Sequence, residues 1–159
     1  MSAKGMGGAS HHLLRLRVPA EPHELRRLRD ALRSALVLPG MPAELTERIV
    51  LAVGEAAMNI VQHGFGDGGG GFIELTLWRE GRALIVELAD DAPRVARESL
   101  HGRALDDVKP GGLGLHFIHE IMDSVHYLDA GAGRGNADGR ARGNRLRMVK
   151  NLDGLENGQ

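Results

Sequence analysis

Apolar residues recur at three- and four-residue steps in two long stretches of the chain. In "EPHELRRLRDALRSALVL" (21–38), Leu25, Leu28, Leu32, Ala35 and Leu36 fall on one helical face. The opposite face is rich in Arg, and "PGMP" (39–42) ends the segment with turn residues. That Arg face reads as a solvated surface, with a partner-docking face as the alternative. A second helix is predicted from Ala43 to about His63. Leu45, Ile49, Ala52, Val53, Ala56 and Ile60 form its stripe. "GFGDGGGG" (64–71) stops it, because glycine resists regular structure.

Elsewhere the period is two. "LLRLRV" (13–18) alternates imperfectly, as an edge strand would, and "FIELTLW" (72–78) and "ALIVELAD" (83–90) flank the tight turn "REGR". These two read as an antiparallel hairpin. Between Asp91 and Gly112 the pattern lapses for about twenty residues, a length that marks a functional lid or a disordered segment. "LGLHFIHEIMDSV" (113–125) resumes the helical period through Leu115, Ile118, Met122 and Val125, and "HYL" then starts a strand. After the Gly- and Arg-rich loop "DAGAGRGNADGRARGN" (129–144), "RLRMVKNL" (145–152) alternates as a closing strand. Residues 1–12 and 153–159 read as disordered tails around one domain spanning 13–152. The expected fold is α+β: a two-layer sandwich in which helices cover one face of a mixed, mostly antiparallel sheet.

Composition narrows the function classes. A chain of 159 residues fits one domain with an ordinary core. Twenty Lys and Arg against 21 Asp and Glu give a formal net charge of -1, which argues against direct nucleic-acid binding through a basic surplus. Aromatics at 3% also disfavour a base-stacking reader. With no cysteine, disulfides, thiolate zinc sites and Cys nucleophiles are excluded. No apolar run approaches the roughly 20 residues of a membrane span, and "MSAKGMGGASHH" has no apolar core of a secretory signal. A cytoplasmic protein without membrane contact is expected.

Three polar features stand against this background. "EAAMNIVQHG" (55–64) places Glu55 and Asn59 within about 40° of each other, flanking the apolar stripe. Spacing alone makes them ordinary helix-surface polars. Their chemistry also suits a nucleotide site: an Asn carbonyl is a hard oxygen ligand for magnesium, and a carboxylate one turn earlier can take a proton from an attacking hydroxyl. His63 continues the same edge, where a capping or packing role is the common one. In "LADDAPR" (88–94), an Asp leaving a buried strand can accept a hydrogen bond from a purine amine, or simply initiate a turn. "PGGLGL" (110–115) opens a helix with closely spaced glycines that let backbone N–H groups approach phosphates. It fits neither the P-loop nor the dinucleotide fingerprint.

In this order the features resemble the ATP-binding (Bergerat-type) fold of histidine kinases, gyrase-type topoisomerases, a family of heat-shock chaperones and the MutL repair proteins. "EAAMNIVQHG" is similar to its N box, "DDAPR" to its first glycine box and "GGLGL" to its second. Within that superfamily, "GEAAMNIVQHGF", "GGLGLHFIHEIMDSVHY" and the final "GNRLRMVKNL" resemble the anti-sigma-factor serine/threonine kinases of bacterial partner-switching systems, over residues 13 to 152.

The resemblance implies ATP and Mg2+ as cofactors, Glu55 as general base and Asn59 as the magnesium ligand. It implies Asp90 as the acceptor for the adenine amine. Gly112 and Gly114, with Gly111, Leu113 and Leu115 beside them, would admit the phosphates. His63 and Lys109 are further contacts, and residues 92–111 are the ATP lid. Ala92 departs from the pattern, which usually has Gly there; the replacement is expected to tighten the pocket or lower affinity. The stretch 131–143 has no counterpart role.

The implied activity is transfer of the ATP γ-phosphate to a serine of a STAS-type anti-anti-sigma antagonist. The implied other partner is a sigma factor or similar regulator that the kinase inhibits. A homodimer is also implied, with the 21–38 helix or the sheet edge available for it. Ala92 keeps a second reading open: a non-catalytic ATP-binding module of the same fold that sequesters a partner.

Overall fold

A computed structural model describes residues 9–63, 70–93, 112–128 and 142–153. The chain runs β1 (Ser10–Pro19), a 3-10 turn (Pro22–Glu24), α1 (Leu25–Ala35), α2 (Ala43–His63), β2 (Phe72–Glu80) and β3 (Ala83–Pro93). After the undescribed 94–111 come α3 (Gly112–Ile121), β4 (Ser124–Leu128) and β5 (Arg142–Asn151).

The five strands form one sheet in the order β1-β2-β3-β5-β4. The mixed sheet expected from the sequence is antiparallel at each of these pairings. Two glycines make the tight connections. Gly40 (φ 76°) turns the chain between α1 and α2. Gly81 (φ 57°) takes the first position of the two-residue β2–β3 loop, where a positive φ suits the strand twist.

Alternation sets the two faces of the sheet. Ile73, Leu75 and Leu77 of β2, Leu84, Val86 and Leu88 of β3, and Leu146 and Met148 of β5 are buried in one core. That core includes Leu25, Leu28 and Leu32 of α1, Ile49, Ala52, Val53 and Ala56 of α2, and Ile118 and Ile121 of α3. Burying a side chain of this size stabilises by about 1.5–3 kcal/mol, while a cap contributes about 1. The apolar stripes therefore hold the helices in place. α1 shows as much, since its N-cap Glu24 makes no side-chain cap bond.

The reverse face carries Trp78, Ile85, Glu87, Arg145 and Arg147. There Arg147 Nε donates to Glu87 Oε2 at 2.9 Å, Arg145 Nε pairs with Oε1 at 3.2 Å, and the Arg147 guanidinium lies 5.4 Å from the Trp78 ring centroid. Among the described residues no helix is long and apolar enough to cross a membrane.

Several boundaries differ from the sequence pattern. β1 begins at Ser10, inside the segment expected to be a tail, because the β2 hairpin arm offers partners as far as Glu80. α3 stops at Ile121, and Val125 lies in β4 instead of the helix. The edge of β5 captures the chain there: Asp123 N–H donates to Val149 O at 2.9 Å, and Asp123 Oδ2 accepts Asn151 N–H at 2.6 Å. β5 also starts earlier than expected, so Arg142, Gly143 and Asn144 belong to a strand. Most of the expected lid, 94–111, and most of the Gly/Arg loop lie outside the described residues.

Candidate active site

The buried stripe of α2 runs through Ile49, Ala52, Val53, Ala56 and Ala57. Glu55 and Asn59 sit beside it, half-buried, and His63 is exposed in the last turn. Among the described residues neither Glu55 nor Asn59 makes a side-chain hydrogen bond or ion pair. α2 packs against both α1 and α3, and it also touches β3. Of the three elements that carry the sequence-predicted residues, α2 thus touches both of the others, β3 and α3.

On β3, alternation separates two consecutive aspartates. Asp90 continues the inward series of Leu84, Val86 and Leu88 and is 7% exposed. Asp91 turns towards β2, where its Oδ1 accepts the Phe72 N–H at 3.0 Å. Asp90 is therefore the carboxylate facing the helices.

Its surroundings follow from a slip in the ladder. Asp90 stands opposite Asn144, yet Pro93 stands opposite Arg142, so β3 spends one residue more than β5 across this step. The bulge turns Ala92 N–H back onto Asp90 Oδ1 at 2.9 Å. Asn144 Nδ2 donates to the same oxygen at 3.0 Å and leans towards Ala92 O at 3.5 Å. Burial pushes the Asp90 carboxyl above the ordinary carboxylate range. The bonds from Asn144 and Ala92 oppose that shift, and the charge of Asp91 adds to it. Tyr127 on β4 is pushed up as well, first by burial and then by the negative charge of Asp90.

Ala92 is fully buried, and no non-glycine among the described residues has a positive φ. The backbone here does not need glycine, so the methyl group affects the space beside Asp90 and not the turn itself.

Gly112, Leu113, Gly114 and Leu115 form the first turn of the ten-residue α3. Its leading N–H groups have no partner within the helix and carry partial positive charge, the arrangement that receives phosphates. Lys109 and Gly111 lie outside the described residues. Asn144 is the residue that the sequence reading missed. Leu146 and Met148 alternate inward on β5, and carrying that period back two residues puts a polar Asn on the core side.

A family model described as histidine kinase-like ATPase domain matches residues 18–150. The chain belongs to that family. Among the relatives of this ATPase domain, the serine/threonine-protein kinase BtrW of Bordetella bronchiseptica is 35% identical over 89 residues, covering 54% of this chain and 63% of BtrW. The serine-protein kinase RsbW of Halalkalibacterium halodurans is 34% identical over 85 residues, covering 50% of this chain and 52% of RsbW. The matches thus span between half and two thirds of these relatives. The fold is also that of a chain in the SiaB–SiaC complex from Pseudomonas aeruginosa, with a TM-score of 0.62 at 18% identity, covering 87% of this chain and 91% of that one.

Proposed function

We propose that this domain is an ATP-dependent protein serine kinase that phosphorylates a serine of a STAS-type anti-anti-sigma antagonist. In the same reading it binds and inhibits a sigma factor or similar regulator until the antagonist captures it. The observation that carries the proposal is the buried Asp90 carboxylate. It is held by two hydrogen bonds on the helix side of the sheet, on a strand that touches the helix bearing Glu55 and Asn59. A chain that needed only stability would gain nothing from a buried carboxylate with a raised pKa. The kinase names of BtrW and RsbW support the same reading.

The roles follow from chemistry. Asp90 accepts the adenine amine, and the N-terminus of α3 at Gly112 to Leu115 receives phosphates, with Gly111, Lys109 and His63 as further contacts. Glu55 orients the attacking serine hydroxyl and takes its proton, a contribution of about 10²–10⁴ in rate. Its half-buried, unbonded state leaves it available for this. Among the described residues no three His, Cys, Asp or Glu side chains gather into a metal site. The donor set fits magnesium held by Asn59 together with nucleotide phosphates and water, as that ion prefers. Bound there, the ion would neutralise charge on the transferring phosphoryl group.

The proposal places the protein in the cytoplasm as a homodimer. The sheet face of Trp78, Arg145 and Arg147, opposite the one that packs on the helices, joins the α1 face and the sheet edge as a surface for the second copy. The test is to mix the purified chain with γ-labelled ATP and a candidate STAS protein. Label on a serine of the partner is expected. A stable complex without label would replace this reading with that of a sequestering module.

A further inference from the structure

Asn144 lies in the closing "GNRLRMVKNL" segment and has no role assigned to it by the resemblance, yet it makes the side-chain contact to the most deeply buried carboxylate on the helix side of the sheet. Given the reading of Asp90 as the adenine acceptor, on which this inference rests, we infer that Asn144 is the positioning residue that sets the preference for a 6-amino purine.

Ala92 N–H and Asn144 Nδ2 both donate to Asp90 Oδ1, at 2.9 and 3.0 Å. Oδ2 accepts no side-chain hydrogen bond among the described residues. These two donors on one oxygen, with the Asn144 backbone N–H also directed at the carboxylate, restrict its rotation and leave Oδ2 as the acceptor with a set direction. They also favour the ionised form in a buried setting that otherwise disfavours it. An ionised carboxylate only accepts hydrogen bonds. It therefore matches an exocyclic amine and repels a carbonyl oxygen at the same ring position. Without the Asn144 amide, Asp90 keeps the Ala92 N–H but loses the second restraint on its orientation and one of the bonds that favour its ionised form.

The backbone around Asn144 is shaped for this contact. Asn144 is the direct ladder partner of Asp90. The preceding Gly143 has φ 99°, and a Cβ there would lie 3.3 Å from the Asp90 carbonyl oxygen. A side chain at 143 would be strained in itself and would press on the strand that carries Asp90. Gly143 and Asn144 therefore act as a unit: the glycine permits the close approach and the amide uses it.

A merely structural Asn144, present only to satisfy a buried charge, would affect all nucleotides alike. The test is a ligand comparison. Dissociation constants are measured for ATP and for purine riboside triphosphate, which lacks the 6-amino group, with wild type, Asn144→Leu and Asn144→Ser. A hydrogen bond to a charged group contributes about 1.5–3 kcal/mol, so Asn144→Leu is expected to weaken ATP by roughly tenfold or more. The analogue should change by less than about twofold on the same scale. Asn144→Ser, which keeps a smaller donor, should fall between wild type and leucine, and it provides the comparison if the leucine variant fails to fold. Equal weakening of both nucleotides, or of neither, would overturn the inference.

Asp90→Asn separates this inference from its premise. If Asp90→Asn leaves the preference for ATP over the analogue intact, the Asp90 assignment falls. If it removes that preference while the Asn144 variants do not, only the role of Asn144 falls.

Discussion

The aliphatic stem of Arg29 crosses Gly54, where a Cβ would sit 3.1 Å from Arg29 Cδ and 3.4 Å from Cγ. α1 thus rests on α2 at the residue immediately before Glu55. Gly54 is buried within the helix and has ordinary helical φ, so two effects compete on substitution. Alanine favours the helix by about 0.8–1 kcal/mol over glycine. Against that, the Arg29 stem must move by a few tenths of an ångström, and a flexible, half-buried side chain can do so at small cost. Gly54→Ala is expected to raise the thermal midpoint, by up to about 2–4 °C for a chain of this size. A fall of the same size in thermal unfolding would show that Arg29 is pinned.

Asp90→Asn should separate stability from function. The Asn side-chain oxygen can still accept from Ala92 N–H and Asn144, so the local bonds survive while the buried charge goes. The raised pKa of Asp90 means that folding is penalised at any pH above its folded value. The penalty is relieved as pH falls towards the ordinary carboxylate range. The variant is therefore expected to melt at or above the wild-type temperature at neutral pH, with the difference vanishing in acid. ATP binding should weaken and its advantage over the analogue without the 6-amino group should disappear, because in the proposed pose an amide donor then faces the adenine amine. Melting curves from pH 4 to 8 with parallel nucleotide titration check both outcomes, and the pH window is set by the ordinary carboxylate value.

Leu28→Ala addresses how α1 is held. Leu28 is fully buried, and α1 lacks a side-chain cap at its start. The truncation should cost about 2–5 kcal/mol by denaturant unfolding. By contrast, Glu47→Ala removes a 2.6 Å contact to Arg33 but should change stability little. Both side chains are roughly half exposed, and exposed pairs contribute little.

Asn59→Ala should weaken both magnesium-dependent nucleotide binding and phosphate transfer, since the proposed role of Asn59 serves both. Titration with nucleotide at varied magnesium should show the loss concentrated in the magnesium-dependent part. A variant with unchanged magnesium dependence would remove Asn59 from the metal site.

The sequence made the long periodic elements legible. α2 runs over Ala43–His63 as its stripe predicts, because twenty-one residues repeat one pattern between clear turn signals. The α3–β4 junction was not legible. Met122 and Val125 fit the helical period, but backbone capture of Asp123 by β5 decides the boundary, and that contact is remote in sequence. Asp90 was readable as a polar residue ending an apolar strand, whereas its separation from Asp91 needed the register. Asn144 lay hidden at the end of a Gly- and Arg-rich run with no period of its own. Only the inward alternation of Leu146 and Met148 points to it.

In the proposed function Glu55 takes part in the chemistry of transfer and does not merely bind. Phosphate transfer to the serine of a STAS partner should be measured for wild type and Glu55→Gln, alongside the ATP dissociation constant of each. The account predicts a transfer rate lower by about 10²–10⁴ with affinity changed only slightly. Full transfer by the glutamine variant, or a loss of affinity as large as the loss of rate, would contradict it.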